Sequence, residues 1–446
     1  PGLRRGAAGS TKGHWNVESL PLPARLARPL GYPRVAGLAD ETQRSLRAFW
    51  LDGAFASIAG SFVDSYYTLY ILCLGASNTQ VGLVNTLTQL AGVGMSIPGA
   101  LIADRTGRYK LVALICAILS RAMWPVMILA PWLLPPAGAV WLVVAAWVGI
   151  AVFGQLGNAA WTALQADLVP MKLRAGYFAS RNIAMQLARL VVLPLAGFIV
   201  RLVGEPQGYQ LNLGLATALG VVSLYFYSQQ AEHPAPSGVD RLHPLAALRH
   251  VRSLPNFVRF LAAHAILQFG VMMGGPFIQV YWVQAVRWDV AVIGVMSMTS
   301  VFAGMVGMRL FGRLHERLGL LRTMSFGLAV CLLPVLWLGV TEIWQGLLVQ
   351  FVAGLSWSAY NLEAFNLLLA TTPDDHRPQY IAIYTTIVSV VGAIGPILGG
   401  GLLDIVGFLP IFSASTILRA TGLIVLLALV REPAAPPEES AAPQPT

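Results

Sequence analysis

The sequence predicts an all-α membrane protein, with twelve transmembrane helices in two pseudo-symmetric six-helix bundles. Three observations carry the prediction. The 446 residues are 56% hydrophobic and only 11% charged, with a mean hydropathy of +0.66. A soluble domain has roughly a quarter of its residues charged. The apolar residues also run in long unbroken stretches rather than in alternation, which favours helices over strands. A hydrocarbon core of about 30 Å takes about 20 residues per helix, and only helices and closed barrels satisfy their backbone there. Finally, one short polar loop occurs twice, once at the centre of each half of the chain.

In chain order, residues 1–45 are rich in Gly, Pro and Arg, lack periodicity, and read as a disordered cytoplasmic tail. The polar stretch from Asp40 to Arg47 leads into the first apolar run, near Ala48, so no cleavable signal peptide is expected. Residues 46–230 form the N-terminal bundle, with spans at about 48–74, 80–102, 110–130, 138–165, 177–203 and 210–230. A linker follows at 231–256, with a basic, amphipathic stretch from Arg241 to Arg259 that would lie on the membrane surface. The C-terminal bundle, 257–431, has spans at about 257–284, 290–313, 321–340, 345–371, 379–404 and 408–430. A Pro/Ala/Glu-rich tail, 432–446, reads as disordered.

Charge sets the orientation. The formal net charge is +9, which in a soluble protein would suggest nucleic acid. Here the bases sit at helix ends on one side: Arg105, Arg108, Lys110, Lys172, Arg174, Arg241, Arg249, Arg252, Arg313, Arg317, Arg322 and Arg377. The other side has little beyond Arg201 and Arg287. By the positive-inside rule both termini are cytoplasmic, and no nucleic-acid partner is expected. The three cysteines, Cys73, Cys116 and Cys331, fall inside apolar runs, without disulfide or metal spacing.

The repeated loop reads Ala100-x-x-x-Asp104-Arg105-x-Gly107-Arg108-x-Lys110, then Gly312-x-x-x-Glu316-Arg317-x-Gly319-x-x-Arg322. Each glycine allows a positive φ, and each acid could cap a neighbouring helix N-terminus. This pattern resembles the G-x-x-x-D-R-x-G-R-[RK] signature of major facilitator superfamily transporters, between the second and third spans with a weaker echo between the eighth and ninth. Ala100 replaces the first glycine, Tyr109 breaks the closing pair of bases, and Glu316 replaces Asp. The resemblance covers about residues 46–431. It implies a cytoplasmic gate in which Asp104 and Glu316 cap helices of the opposite bundle and Arg108 reaches an acid such as Asp167. Arg105, Gly107, Arg174, Arg317, Gly319 and Arg377 would complete that gate.

The halves repeat elsewhere. Pro170-x-x-x-Arg174-x-x-Tyr177 returns as Pro373-x-x-x-Arg377-x-x-Tyr380, with Asn158 and Asn361 in register upstream. Pro194-x-x-Gly197 in span five matches Pro396-x-x-Gly399 in span eleven within one residue. Parallel six-helix repeats place any site at the midplane between halves. Span eleven also carries Gly392-x-x-Gly395-Pro396-x-x-Gly399-Gly400-Gly401, similar to a motif that drug–proton antiporters of this superfamily hold in the fifth span. Displaced to the symmetry mate, it reads better as a helix-packing seam.

Polar residues are costly in a bilayer and face the interior. Spans one, four, seven and ten carry such stripes: Ser57, Ser61, Asp64 and Thr68; Asn158, Trp161 and Gln165; His264, Gln268, Gln279 and Trp282; Trp357, Tyr360, Asn361 and Glu363. In the resembling family these helices line the central cavity. Asp64 is either a carboxyl that binds and releases a proton or half of a permanent ion pair. Glu363 has the same two readings nearer the cytoplasm, and Asp52 reads as structural. Arg189 and Arg121 could neutralise these acids or hold a carboxylate or phosphate; Arg181 and Arg419 could pair or snorkel. His264 is either a titrating group or a satisfied hydrogen-bonder. Trp161 and Trp357 could pack, stack on a sugar or hold an organic cation.

No phosphate-binding glycine loop, metal cluster or nucleophile–base set is present, so neither an enzyme nor a cofactor is expected. The expected function is a proton-coupled secondary transporter of a small organic solute, working by alternating access, with efflux slightly favoured. A sugar or organic-anion importer is one alternative, and a non-transporting membrane assembly or lipid-handling protein is another. A monomer in a bacterial inner (plasma) membrane, with the solute, protons and lipid as partners, completes the expectation.

Overall fold

The computed structural model describes residues 40–232, 251, 254–372 and 377–431. Both expected tails, apart from the residues bordering the helices, and most of the linker with its amphipathic stretch lie outside the described residues. Within them every regular element is helical. In the N-terminal half, α1 (Asp40–Val63) and α2 (Tyr67–Cys73) make span one. They are followed by α3 (Asn78–Thr106), α4 (Tyr109–Leu133), α5 (Pro136–Leu168), α6 (Arg174–Val203) and α7 (Gln207–Ser228). In the C-terminal half, α8 (Pro255–Gly274) and α9 (Ile278–Gln284) make span seven. Span eight is α10 (Val290–Leu318), and span nine is α11 (Leu320–Ser325) with α12 (Leu328–Leu338). The last three spans are α13 (Ile343–Thr371), α14 (Arg377–Val406) and α15 (Phe408–Leu429).

Local chemistry sets the helix ends. Ser77 accepts from the Gln80 backbone N–H while the Gln80 side chain accepts from the Ser77 N–H, a reciprocal cap that starts α3. Gly107 ends α3 in the left-handed region, at φ 62°. Asp289 caps α10 through the Ala291 N–H at 2.7 Å. One boundary differs from expectation. The stretch from Asp40 to Arg47 is the first turns of α1, with Asp40 and Glu41 complementing the helix dipole, rather than a lead-in to it.

Nine described stretches are long and apolar enough to cross a membrane. The other three occupy the places of spans one, nine and ten. Span one is broken by the turn at Asp64–Tyr66, and span nine at Phe326–Gly327. Span ten is a continuous 29-residue helix, diluted by Gln345, Gln350, Asn361, Glu363 and Asn366. A sheath of exposed apolar side chains, among them Ile97, Leu202, Ile405, Ile417 and Ile424, surrounds the molecule, as a lipid-facing surface does.

The two halves pack by one scheme. Span one lies on five and six, two on four, and three on four and six. Seven lies on eleven and twelve, eight on ten, and nine on ten and twelve. Two further seams join the halves: α3 against α14, and α6 against α10.

Candidate functional site

Both seams are tight at the end opposite the Arg-rich loops. On one seam the span-eleven glycines meet backbone on two sides. Gly395 and Gly399 abut the carbonyls of Phe269 and Met273, and Gly400 abuts that of Asn78. Gly82 of α3 lies against the Pro396 carbonyl, and Thr86 donates to the Ala393 carbonyl at 2.6 Å. On the other seam the Tyr66 hydroxyl donates to the Leu193 carbonyl, with Gly294 of the opposite half closing over both. A polar clasp ends each seam. Asn78 donates to Asp404 Oδ1 at 2.7 Å and Thr79 to Oδ2 at 3.2 Å. Arg201 pairs with Asp289 at 3.8 Å.

Toward the basic end, spans five and eight diverge around a cleft of about 400 Å³. Ser57, Asn182, Gln186 and Arg189 line it from the N-terminal half, and Met305, Met308 and Arg309 from the other. Ser57 is anchored by donating to the Met185 carbonyl at 3.1 Å. Asp64, two turns further along the Ser57 face, stands exposed where α1 breaks. Its carboxylate folds back over Gly60, and Arg189 is the cation that acts on it.

Other expected cavity residues scatter. Gln268 reaches the Gly392 backbone beside Gln89, at the crossing of spans two, seven and eleven. Asn158 and Asn361 are exposed on α5 and α13, and Gln279 and Trp357 are half-buried. Gln165 is buried, with its Nε2 atom unpaired. His264 is not on the cleft. It is buried among Phe260, Tyr360 and Tyr384, and its Nδ1 bonds the Tyr360 hydroxyl at 2.6 Å. Glu363 is wholly buried too, with His315 Nδ1 at 3.0 and 2.9 Å from its two oxygens and Asn366 at 3.3 Å. The cleft wall therefore holds none of Asp64, His264, Tyr360 and Glu363; Asp64 shares only the helix face of Ser57, which does line it.

The arginines divide likewise. Arg419 is spent on the carbonyls of Val330 and Val271 at 3.0 and 3.3 Å. Arg121 and Arg181 turn to Asp52 instead of Asp64 or Glu363. Trp161 joins that group: the Arg181 guanidinium lies 4.4 Å from the Phe49 ring centre and 5.9 Å from that of Trp161.

At the basic end the twin loops are turned outward. Asp104 accepts from Tyr109 of its own loop at 3.0 Å, and Arg105, Arg108 and Arg317 are exposed. Gly107 and Gly319 take φ 62° and 77°, as their loops require. Arg174 donates to Val169 at 3.0 Å, and Arg377 opens α14, half-buried. The side chains of Asp167 and Glu316 lie outside what is described.

The sequence profile of the Major Facilitator Superfamily matches residues 48–281 and again 260–446. The chain belongs to the Major Facilitator Superfamily. Solved structures of this fold agree. A bacterial homologue of the human lysosomal transporter Spinster, inward-facing and unoccupied, superposes with a TM-score of 0.61 at 15% identity, over 88% of this chain and 95% of that one. The nucleoside transporter NupG gives 0.63 at 15%, over 88% and 98%. A POT family transporter in complex with 5-aminolevulinic acid gives 0.66 at 14%, over 86% and 96%. Among curated proteins no relative matches by sequence. As a member of that superfamily the chain is a membrane transporter rather than an enzyme, and it needs no cofactor. Among its described residues no group of His, Cys, Asp and Glu could hold a metal ion.

Sequence reading missed the clasps of this facilitator. Asp404, Asp289, Asn78 and Arg201 sit in short loops or helix ends with no motif. Their meaning comes only from the partner across the seam, which spacing along the chain does not show.

Proposed function

We propose that the protein is a proton-coupled secondary transporter that moves a small amphipathic organic solute by alternating access through the cleft between its halves. One observation carries the reading. Asp64 stands exposed at the break in span one, two turns along the helix face of Ser57, which lines the cleft, and Arg189 of span five, also on the cleft, is its counter-charge. A carboxylate and a guanidinium that act on one another at a helix break can link the binding of a proton to the binding of a solute. Solute entering the cleft competes for Arg189, and Asp64 then takes the proton.

The cleft walls suit an amphipathic molecule. Met305, Met308 and Ile183 give soft apolar contact, while Arg189 and Arg309 supply two positive charges. These charges favour a solute bearing a carboxylate or phosphate. By the positive-inside rule the basic end and both termini face the cytoplasm, in a bacterial-type inner membrane. The structure is then the state closed outward and hollow inward. Solute and proton then occupy the protein together and cross in the same direction, so this pairing favours an organic-anion importer driven by the entering proton over an exporter, and the protein works as a monomer.

The test uses proteoliposomes loaded with a pH-sensitive dye and challenged with a panel of organic acids, sugars and lipophilic cations. The expected result is proton movement driven by an amphipathic acid. Asp64→Asn should abolish that movement and keep solute exchange at equal pH. Proton-coupled transport by Asp64→Asn at the normal rate would sink the assignment.

A further inference from the structure

The N-terminal half holds an open chamber of about 400 Å³ between spans one, three, four, five and six. It meets the cleft at Met185, which lines both, but Asp64 and Arg189 are not on its wall. Asp52, Arg121 and Arg181, from three different spans, supply its charge. Asp52 and Arg181 are buried, at 4% and 6% exposure.

The charges do not cancel. Asp52 is the only carboxylate that acts on either guanidinium among the described residues. Two arginines against one aspartate leave one positive charge within the bundle. The hydrogen bonds do not close either. The Ser223 hydroxyl donates to Asp52 Oδ1 at 2.5 Å and accepts from Arg121 Nη2 at 2.9 Å. Arg181 Nε gives a long bond to the Phe49 carbonyl at 3.4 Å. That leaves Arg121 Nη1 and the Tyr227 hydroxyl buried with no hydrogen-bond partner among the described residues. Tyr227, only 3% exposed, lines the chamber with Arg121.

Buried donors without partners are uncommon and costly, and a buried uncompensated charge is costlier. An oxyanion answers both: guanidinium and phenol O–H are donors suited to carboxylate and phosphate oxygens. The rest of the wall is mostly apolar, with Trp124, Phe153 and Trp161, and adds the polar side chains of Ser120 and Asn158. Tyr227 lies in the last turn of α7 and Arg181 in the second turn of α6, both toward the basic end. The polar atoms thus sit within reach of the membrane interface.

We propose that this chamber binds the anionic head, a phosphate or carboxylate, of an amphipathic molecule, drawn from the bilayer or from solution. The site stands whether or not Asp64 couples protons.

Cys116 lies on the chamber wall and gives a direct readout. In a Cys73→Ser, Cys331→Ser background it is the sole thiol, and its alkylation by N-ethylmaleimide can be timed in detergent. The probes are oleoyl lysophosphatidate, decanoate, inorganic phosphate and uncharged monooleoylglycerol. Oleoyl lysophosphatidate or decanoate should slow alkylation severalfold, and monooleoylglycerol should not. Protection by lysophosphatidate alone assigns a lipid head; protection by decanoate or phosphate as well assigns a soluble anion, and both uphold the site. Arg121→Gln should weaken protection about tenfold, as loss of a charge-assisted hydrogen bond does. If that variant misfolds, Tyr227→Phe, which removes only the hydroxyl, should weaken it in the same direction. Asp64→Asn should leave protection unchanged, which separates this site from coupling in the cleft. Equal protection by monooleoylglycerol, or none by any anion, would overturn the proposal.

Discussion

The Asn78 side-chain amide, at the start of α3, donates to Asp404, near the end of α14, at 2.7 Å, and so joins residues 326 positions apart in the two halves. Arg201 and Asp289 do the same for the second seam at 3.8 Å. Between them the seams are backbone against glycine, which gives shape but little directional bonding. The clasps are thus the parts of this end that a small perturbation can open.

Removing a clasp should tilt the balance between the two access states. Asp404→Ala deletes the acceptor for both Asn78 and Thr79 at an exposed position, where such bonds are worth about 1 kcal/mol or less. The expected shift toward the state open at this end is therefore about fivefold at most. Spin labels at Glu205→Cys and Arg287→Cys, one on each half, would report it as a growing long-distance population. An unchanged distance distribution would mean that the glycine seam alone holds the end shut.

Gly294→Ala tests the seam itself. A methyl there would lie 2.6 Å from the Tyr66 hydroxyl and 2.8 Å from the Leu193 carbonyl oxygen, closer than real contacts allow. The backbone of span eight must retreat, at a cost of about 1–3 kcal/mol for the closed arrangement. Transport should fall by about tenfold or more, because one of the two states becomes hard to reach. Wild-type solute flux in this variant would show that the halves need not meet here.

These two residues also show what the chain displayed in advance and what it hid. The twelve-helix plan, the repeat and the twin loops are local or periodic, so they were legible. The span-eleven glycines were legible as a packing seam because small residues at helical spacing have one main structural use. Glu363 had two readings in the sequence, a proton-binding carboxyl or half of a permanent pair. It lies two positions from Asn361 and three from Tyr360, and α13 turns it inward to His315; helical periodicity alone does not separate a cavity wall from a packed interior. The Asp52–Arg121–Arg181 group was hidden for another reason: each charge had several candidate partners on other helices, and only packing selects among them.

Glu363 and Asp64 should therefore answer differently to neutralisation. Glu363 is enclosed, with His315 within hydrogen-bond distance of both oxygens, an arrangement suited to cohesion within the C-terminal half. His315→Ala should lower stability by about 1.5–3 kcal/mol, the range for a hydrogen bond to a charged group. Glu363→Gln, which keeps an acceptor for the ring, should cost less. Both variants should retain proton-coupled flux once corrected for folded protein. Thermal melts in detergent and dye-loaded proteoliposomes read the two effects separately. Loss of coupling in Glu363→Gln with an unchanged melt would move the coupling role from span one to span ten.

Arg189 separates solute binding from coupling. It lines the cleft and is the cation acting on Asp64, so two consequences of its removal compete. If its main partner is the solute, Arg189→Gln should raise KM for an organic acid about tenfold, the value of one charge-assisted hydrogen bond, and leave uncharged solutes untouched. Arg189→Lys should recover part of that loss, since it restores the charge without the planar fork. If its main partner is Asp64, every solute should lose coupled proton movement alike, and Lys should restore it almost fully, because a point charge suffices. We expect the first pattern. The exposed position of Arg189 on the cleft, opposite the exposed Arg309, leaves its guanidinium open to an incoming anion. Initial-rate kinetics of charged and uncharged solutes in the two variants decide between the patterns.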